Sequence, residues 1–381
     1  MSFEISVNEI DSKINDGFGI VDIRDAYSIA YGTIPGAICI NEQQLEENAE
    51  KLKEYPGVIV YCAKGLTSVD AAQMLRTKGV NAFSLQGGYN AWLVYLMQKE
   101  EESVSLKQDE IEKGIQKTWH KKLFSPFAKA VKNYDMIQDG DKIAVCISGG
   151  KDSMLMAKLF QELQKHRQKE FELVYLVMDP GYSPENRKVI EHNSKMLGIP
   201  VTIFDSDIFE SVFNIESSPC YICARMRRGH LYNKARELGC NKIALGHHYD
   251  DVIETILMGM LYGSQIQSMM PKLHSTNFEG MELIRPMYLI REEDIKAWRD
   301  ANGLHFLQCA CKFTDNCSSC RDDGQSNSKR LETKKIIAEL KKTNPYVEGN
   351  IFKSVENVML DTVVGYKKDG VRHHFLDEYD K

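Results

Sequence analysis

Ser148-Gly149-Gly150-Lys151-Asp152-Ser153 follows the apolar run Ile143-Ala144-Val145-Cys146-Ile147 and precedes Met154-Leu155-Met156-Ala157-Lys158-Leu159-Phe160. A buried strand that turns through two glycines into a helix gathers backbone N–H groups at a helix N-terminus, where the helix dipole adds partial positive charge. Such a turn is a phosphate cradle. Two commoner phosphate loops are excluded, because a Walker loop needs two glycines spaced by four residues before its Lys-Ser, and the dinucleotide fingerprint needs Gly-x-Gly-x-x-Gly.

The chain around this loop alternates strand and helix. Phe171–Asp179, Val201–Asp205 and Lys242–Gly246 read as strands of near-continuous apolar content, and Asn186–Leu197 and Met226–Leu238 as amphipathic helices between and after them. That pattern predicts an α/β domain over residues 135–310 with a doubly wound parallel sheet. Ligands of such sheets sit beyond the carboxyl ends of the strands, where Ser148–Ser153, Asp179 and Gly246 all fall. Gly246-His247-His248-Tyr249-Asp250-Asp251 adds two imidazoles and two carboxylates, a set suited to Mg²⁺ held with nucleotide phosphates. Cys220-x-x-Cys223 has the spacing to chelate one soft centre, zinc or an iron–sulfur cluster, with a redox dithiol as the alternative. Arg225, Arg227 and Arg228 make its surroundings electropositive.

Residues 1–100 form a second alternating pattern. Gly19–Arg24 and Val58–Tyr61 read as buried strands, and the latter runs into Cys62-Ala63-Lys64-Gly65-Leu66-Thr67-Ser68 with a helix behind it. A cysteine facing backbone N–H groups at a helix N-terminus is favoured as thiolate, a suitable nucleophile or persulfide carrier. Residues 101–134 read as a linker and a basic helix. Lys117 to Tyr134 holds Lys117, Lys121, Lys122, Lys129 and Lys132 without an acidic residue, which suits contact with backbone phosphates. Residues 311–381 complete the chain as a Cys-rich turn and a helical tail.

At 381 residues the chain is long enough for two or three domains. No apolar segment approaches the ~20 residues of a membrane span, and Met1-Ser2-Phe3-Glu4-Ile5 lacks a signal pattern, so a cytoplasmic protein without a membrane partner is expected. Ten cysteines in such a chain point to metal or thiol chemistry. Residues 1–110 hold 17 acidic and 9 basic residues, whereas the remainder holds 37 and 39. The overall charge of −6 therefore does not exclude a nucleic-acid partner for the second part.

Two resemblances emerge from these residues. Asp22-Ile23-Arg24-Asp25, Gly32-Thr33-Ile34-Pro35-Gly36-Ala37, the Cys62–Ser68 loop and Gly87-Gly88-Tyr89-Asn90-Ala91-Trp92 stand in the order of a single rhodanese domain, which implies that Cys62 carries sulfane sulfur. Thr67 stands where many rhodaneses have Arg, so persulfide from a protein partner or inorganic sulfide suits the site better than thiosulfate. The glycine loop resembles that of N-type ATP pyrophosphatases. Together with Cys220-x-x-Cys223-Ala-Arg-Met-Arg-Arg-Gly, Gly246-His247-His248-x-Asp250-Asp251, Pro271-Lys272-Leu273 and Arg285-Pro286, it resembles the tRNA 2-thiocytidine synthetase family.

That resemblance implies ATP-dependent adenylation of the C2 oxygen of a cytidine in the tRNA anticodon loop, position 32 in the family, followed by replacement with sulfur from a [4Fe–4S] cluster. It implies that Ser148–Ser153, Asp179, Gly246, His247, Asp250 and Asp251 bind nucleotide, with Lys151 on the pyrophosphate and Asp152 and Asp251 on Mg²⁺. Cys220, Cys223 and Cys309 would hold the cluster, and Lys121, Lys122, Arg225, Arg227 and Arg228 the tRNA. Cys309-Ala310-Cys311 is one residue shorter than the family's Cys-x-x-Cys, so Cys311 competes with Cys309. Cys317 and Cys320 open the alternative of a separate Zn²⁺. The implied partners are tRNA, a cysteine desulfurase or other sulfur donor, and a second copy in a homodimer. Thiolation of another base or a small molecule, and a non-catalytic sulfur relay, are the competing readings.

Overall fold

The structure, a computed structural model, describes residues 3–29, 32–100, 104–206, 208, 219–306, 329–377 and 379, with side chains left out at 26–27, 100, 104 and 219–225. It divides into two compact units, Met1–Tyr249 with Pro271–Asn327, and Asp250–Met270 with Ser328–Lys381.

The first unit contains two sheets. The N-terminal one is wholly parallel: β1 (Glu4–Ile5), β2 (Gly19–Asp22), β3 (Ile38–Cys39), β4 (Val58–Tyr61) and β5 (Ala82–Leu85) lie in the order β1-β5-β4-β2-β3. Val58, Ile59, Val60 and Tyr61 are all fully buried, as a central parallel strand requires. Helix α1 (Thr67–Thr77) packs Ala71, Ala72 and Leu75 into that core, and α2 (Gly88–Glu100) follows β5.

Residues 104–116 form a docked helix, α3 (Val104–Gln116), which buries Ile111 and Ile115. The basic stretch expected as one helix from Lys117 to Tyr134 is instead broken. A π-type turn at His120–Phe124 leads into α4 (Ser125–Asn133), because Pro126 suits a first helical turn and has no N–H to continue an earlier one.

The second sheet is built from β6 (Asp141–Ile147), α5 (Lys151–Lys165), β7 (Phe171–Asp179), α6 (Pro184–Met196), β8 (Val201–Asp205), α7 (Pro219–Glu237), β9 (Lys242–Ala244), α8 (Tyr249–Gly263), β10 (Lys272–His274), β11 (Glu282–Ile284) and α9 (Glu292–Ala301). Its order is β10-β11-β9-β6-β7-β8, parallel throughout except for β10, a short edge strand antiparallel to β11. From β6 the chain steps outward through β7 to β8, then returns to the other side at β9. The reversal opens a crevice at the carboxyl ends of β6 and β9.

The two halves of this unit meet. Helix α2 packs along α6, and Trp92 meets the His305 ring edge-on at 5.5 Å. Asn193 of α6 donates a 2.8 Å hydrogen bond to the His305 carbonyl.

The second unit contains α8 from Asp250 onward, α10 (Lys329–Thr343), α11 (Val347–Ser354) and a hairpin of β12 (Gly365–Lys368) and β13 (Val371–His374). Among the described residues no helix is long and apolar enough to cross a membrane.

Candidate active sites

The Ser148–Ser153 loop lies at the switch point of the second sheet. Gly149 is left-handed, with φ +84°, and Gly150 is the extended N-cap of α5. The Ser153 hydroxyl ties the turn together: it accepts from the Ser148 amide at 3.1 Å and donates to the Gly150 carbonyl at 3.0 Å. The strand β9 side closes in at Gly246, where an added Cβ would stand 3.2 Å from the Ser153 amide nitrogen and 3.3 Å from the Asp152 carbonyl carbon. A residue with any side chain would press on the first turn of α5.

Lys151 is 2% exposed, and its ammonium lies 3.1 Å from Asp152 and 3.5 Å from Glu292, the first residue of α9. Asp152 also faces the buried His248 at 4.0 Å, and its Oδ1 accepts no hydrogen bond. The loop amides, a held lysine and a carboxylate oxygen with spare acceptor capacity fit a nucleotide triphosphate with its divalent cation. Glu292 is a member of this cluster that sequence reasoning did not assign.

Asp179 ends β7 at the same edge of the sheet. Its Oδ1 accepts from the amides of Gly181 (2.8 Å) and Tyr182 (2.6 Å), and Oδ2 pairs with Arg187 at 3.0 Å, so the carboxylate is engaged by its own loop. Within the second unit, Asp251 pairs with Arg330 at 2.5 Å. Of the basic residues, Lys122 pairs with Asp294 at 2.9 Å, Lys121 and Arg228 are exposed, and Arg227 is half-buried.

Cys220 and Cys223 fall in the first turn of α7, one helical turn apart. Their side chains and that of Arg225 lie outside the described residues, as do Cys309, Cys311, Cys317 and Cys320. Helix α7 begins seven residues earlier than its apolar pattern suggests. The start signal is Ser218-Pro219, a capping residue type followed by proline.

Cys62 lies at the carboxyl end of β4, buried, in the loop leading to α1. Its sulfur accepts from the Gly65 amide at 3.1 Å and sits 3.4 Å from the Ser68 hydroxyl, which in turn meets Ser84 at 2.9 Å. Burial pushes the Cys62 thiol up, but hydrogen bonds from the Ser68 and Thr67 hydroxyls and from the Ser68 and Lys64 backbone outweigh it, and the net direction is down. Thr67, which removes a cationic clamp, thus supplies a donor instead. The sequence places Ser68 at the end of the Cys62 loop but assigns no role to it or to Ser84; a hydroxyl at the helix start after Cys62 is the available signal for Ser68. The start of α2 closes the loop, with the Tyr89 amide donating to the Cys62 carbonyl at 2.9 Å.

Comparison with known proteins agrees with this architecture. Residues 119–314 match the PP-loop domain family and residues 6–94 the rhodanese-like domain family. The chain is 36% identical over 242 residues to the tRNA-cytidine(32) 2-sulfurtransferase of Anaeromyxobacter dehalogenans (strain 2CP-C), spanning 63% of this chain and 80% of the relative. It is 34% identical over 233 residues to the enzyme of the same name from Syntrophotalea carbinolica, spanning 60% and 86%. Among solved structures it is similar to the U34-tRNA thiolase NcsA from Methanococcus maripaludis with its [4Fe-4S] cluster, at 23% identity and a TM-score of 0.48 over 61% of this chain and 76% of that one. The chain therefore belongs to the tRNA-cytidine 2-sulfurtransferase family of PP-loop enzymes and is a sulfurtransferase that carries a rhodanese-like domain on its N-terminal side.

Proposed function

We propose that this protein uses ATP to thiolate tRNA, replacing the C2 oxygen of cytidine 32 with sulfur. The observation that carries the reading is the Gly149-Gly150-Lys151-Asp152 loop at the sheet's switch point, backed by the α5 N-terminus and closed by Gly246. In the reaction the base oxygen attacks the α-phosphorus of ATP, and pyrophosphate leaves. The loop amides and Lys151 stabilise the charge that builds on that leaving group. Asp152 is the proposed Mg²⁺ ligand of this loop. Hydrosulfide, released from the Cys62 persulfide by a cellular dithiol that is oxidised to its disulfide while Cys62 returns to the thiol, then attacks C2, and AMP departs with the original oxygen.

Cys220 and Cys223, one turn apart, with Cys309 or Cys311 as a third thiolate, would hold a [4Fe–4S] cluster. Such a cluster would supply the chemistry of binding and presenting sulfur to the activated base. Cys62, kept toward thiolate by its loop, receives the sulfur from a donor such as a cysteine desulfurase. Support for an intrachain relay comes from the path of the chain: α2 closes the Cys62 loop and also packs on His305, shortly before Cys309 in sequence. Arg227, Arg228 and Lys121 are the proposed tRNA contacts of this unit, and Lys122 contributes less because Asp294 holds it.

The test is pyrophosphate release by the full chain. It should require unmodified tRNA and should fall by about 10²-fold or more in Lys151→Ala. Release that is equally fast without tRNA would contradict the reading.

A further inference from the structure

The second unit holds two groups of cations, and their surroundings differ. On α10, Lys329, Arg330, Lys334, Lys341 and Lys342 each have a carboxylate partner: Glu332 at 3.1 Å, Asp251 at 2.5 Å, Glu254 at 3.6 Å, Glu348 at 2.9 Å and Glu339 at 2.5 Å. Five of the six α10 cations are thus paired, and Lys335 is exposed with no ion-pair partner among the described residues. On the β12–β13 hairpin, by contrast, Lys367, Lys368 and Arg372 are exposed and have no ion-pair partner among the described residues.

The register sharpens the contrast. Lys367 stands directly opposite Arg372 across the antiparallel ladder. Like charges at facing positions destabilise a strand pair, and an isolated two-stranded hairpin is marginal in water even without that cost. On the other face of the ladder, Tyr366 stacks on its cross-strand partner His373 at 4.7 Å and 14°, with Tyr366 37% exposed and Lys368 on the same face. Asp369, at the tight Asp369-Gly370 turn, is the one acidic residue from Gly365 to His374. Two cations held side by side, and a flat aromatic pair beside a third cation, form a surface complementary to a polyanion that also carries flat bases.

We propose that the β12–β13 hairpin is an RNA contact, in which Lys367 and Arg372 grip backbone phosphates and the Tyr366–His373 stack offers a platform to a base. The inference rests on tRNA being the substrate and adds a second contact to it. A bound phosphate relieves the Lys367–Arg372 repulsion, so binding stabilises the hairpin that makes it. The α10 helix, with five of its six cations paired, contributes less.

The test uses the full chain and unmodified tRNA, with the dissociation constant measured across ~50–300 mM KCl and ATP affinity as the control for integrity. Lys367→Ala/Arg372→Ala should weaken binding about 5- to 20-fold near 0.1 M salt and reduce the log–log salt slope by about 1.5 to 2, the loss of two phosphate contacts. Tyr366→Ala should weaken binding about 3- to 10-fold with the slope unchanged, as expected for lost stacking. An unchanged affinity and slope in the double variant, while the wild type binds tRNA, would overturn the hairpin proposal and leave the thiolase reading intact. A wild type that binds no tRNA would sink both. If the variants change the sedimentation coefficient but not tRNA binding, exposed Val371, Phe375 and Leu376 belong to a protein interface and the proposal is wrong.

Discussion

Cys62 illustrates how a residue's chemistry is set by contacts that its neighbours in sequence only partly announce. The loop and the helix behind it are legible, because an apolar strand running into Cys-x-x-Gly and then a helical pattern has few other readings. The hydroxyl layer of Ser68 and Ser84 is not, since Ser84 arrives from β5 and meets Ser68 only when the sheet forms. The same limit applies to Glu292, which reaches Lys151 from α9, and to Lys122, whose charge is taken up by Asp294. Ser68 carries a prediction of its own. Burial alone would hold Cys62 as a thiol, so removing one of the groups that overcome burial moves its titration upward. In Ser68→Ala, the pH midpoint of Cys62 alkylation should rise above that of the wild type. A midpoint that stays in place would show that the Thr67 hydroxyl and the backbone amides set the thiolate without the Ser68 side chain.

The elements that position the nucleotide loop were the most legible part of the chain. Strands β6 and β7 and the start of α5 follow directly from apolar runs and a glycine turn. Short edge elements were not: β10 has three residues, lies outside every strand read from the sequence, and runs antiparallel because a brief return connection joins it to β11. Helix α7 begins in a segment with no amphipathic period, so periodicity finds its second half and only Ser218-Pro219 marks its start. At this scale the close approach of the β9 end to α5 is the testable feature. Gly246→Ala forces Ser153 and Asp152 to give by a few tenths of an ångström, and the loop is where that shift falls. The substitution should cost about 1–3 kcal/mol in urea unfolding and raise the KM for ATP several-fold. A variant with unchanged stability and unchanged KM would mean that the approach has slack and that Gly246 has no part in shaping the loop.

At the scale of the molecule, a rhodanese-like domain and the PP-loop domain of a sulfurtransferase share one chain. The acidic N-terminal part and the slightly basic remainder are consistent with a division between receiving sulfur and holding RNA. Motif order carried both domain identities, because each motif needs a strand end and a helix start at fixed spacing. The docking of α2 on α6 and His305 was not legible, since it depends on two surfaces that meet only after each sheet has folded. The most direct measurement is nucleoside mass spectrometry of tRNA from cells with and without this protein. The account predicts that 2-thiocytidine disappears without it and returns with the wild type but not with Lys151→Ala. Persistence of 2-thiocytidine in the cells that lack it would contradict the account.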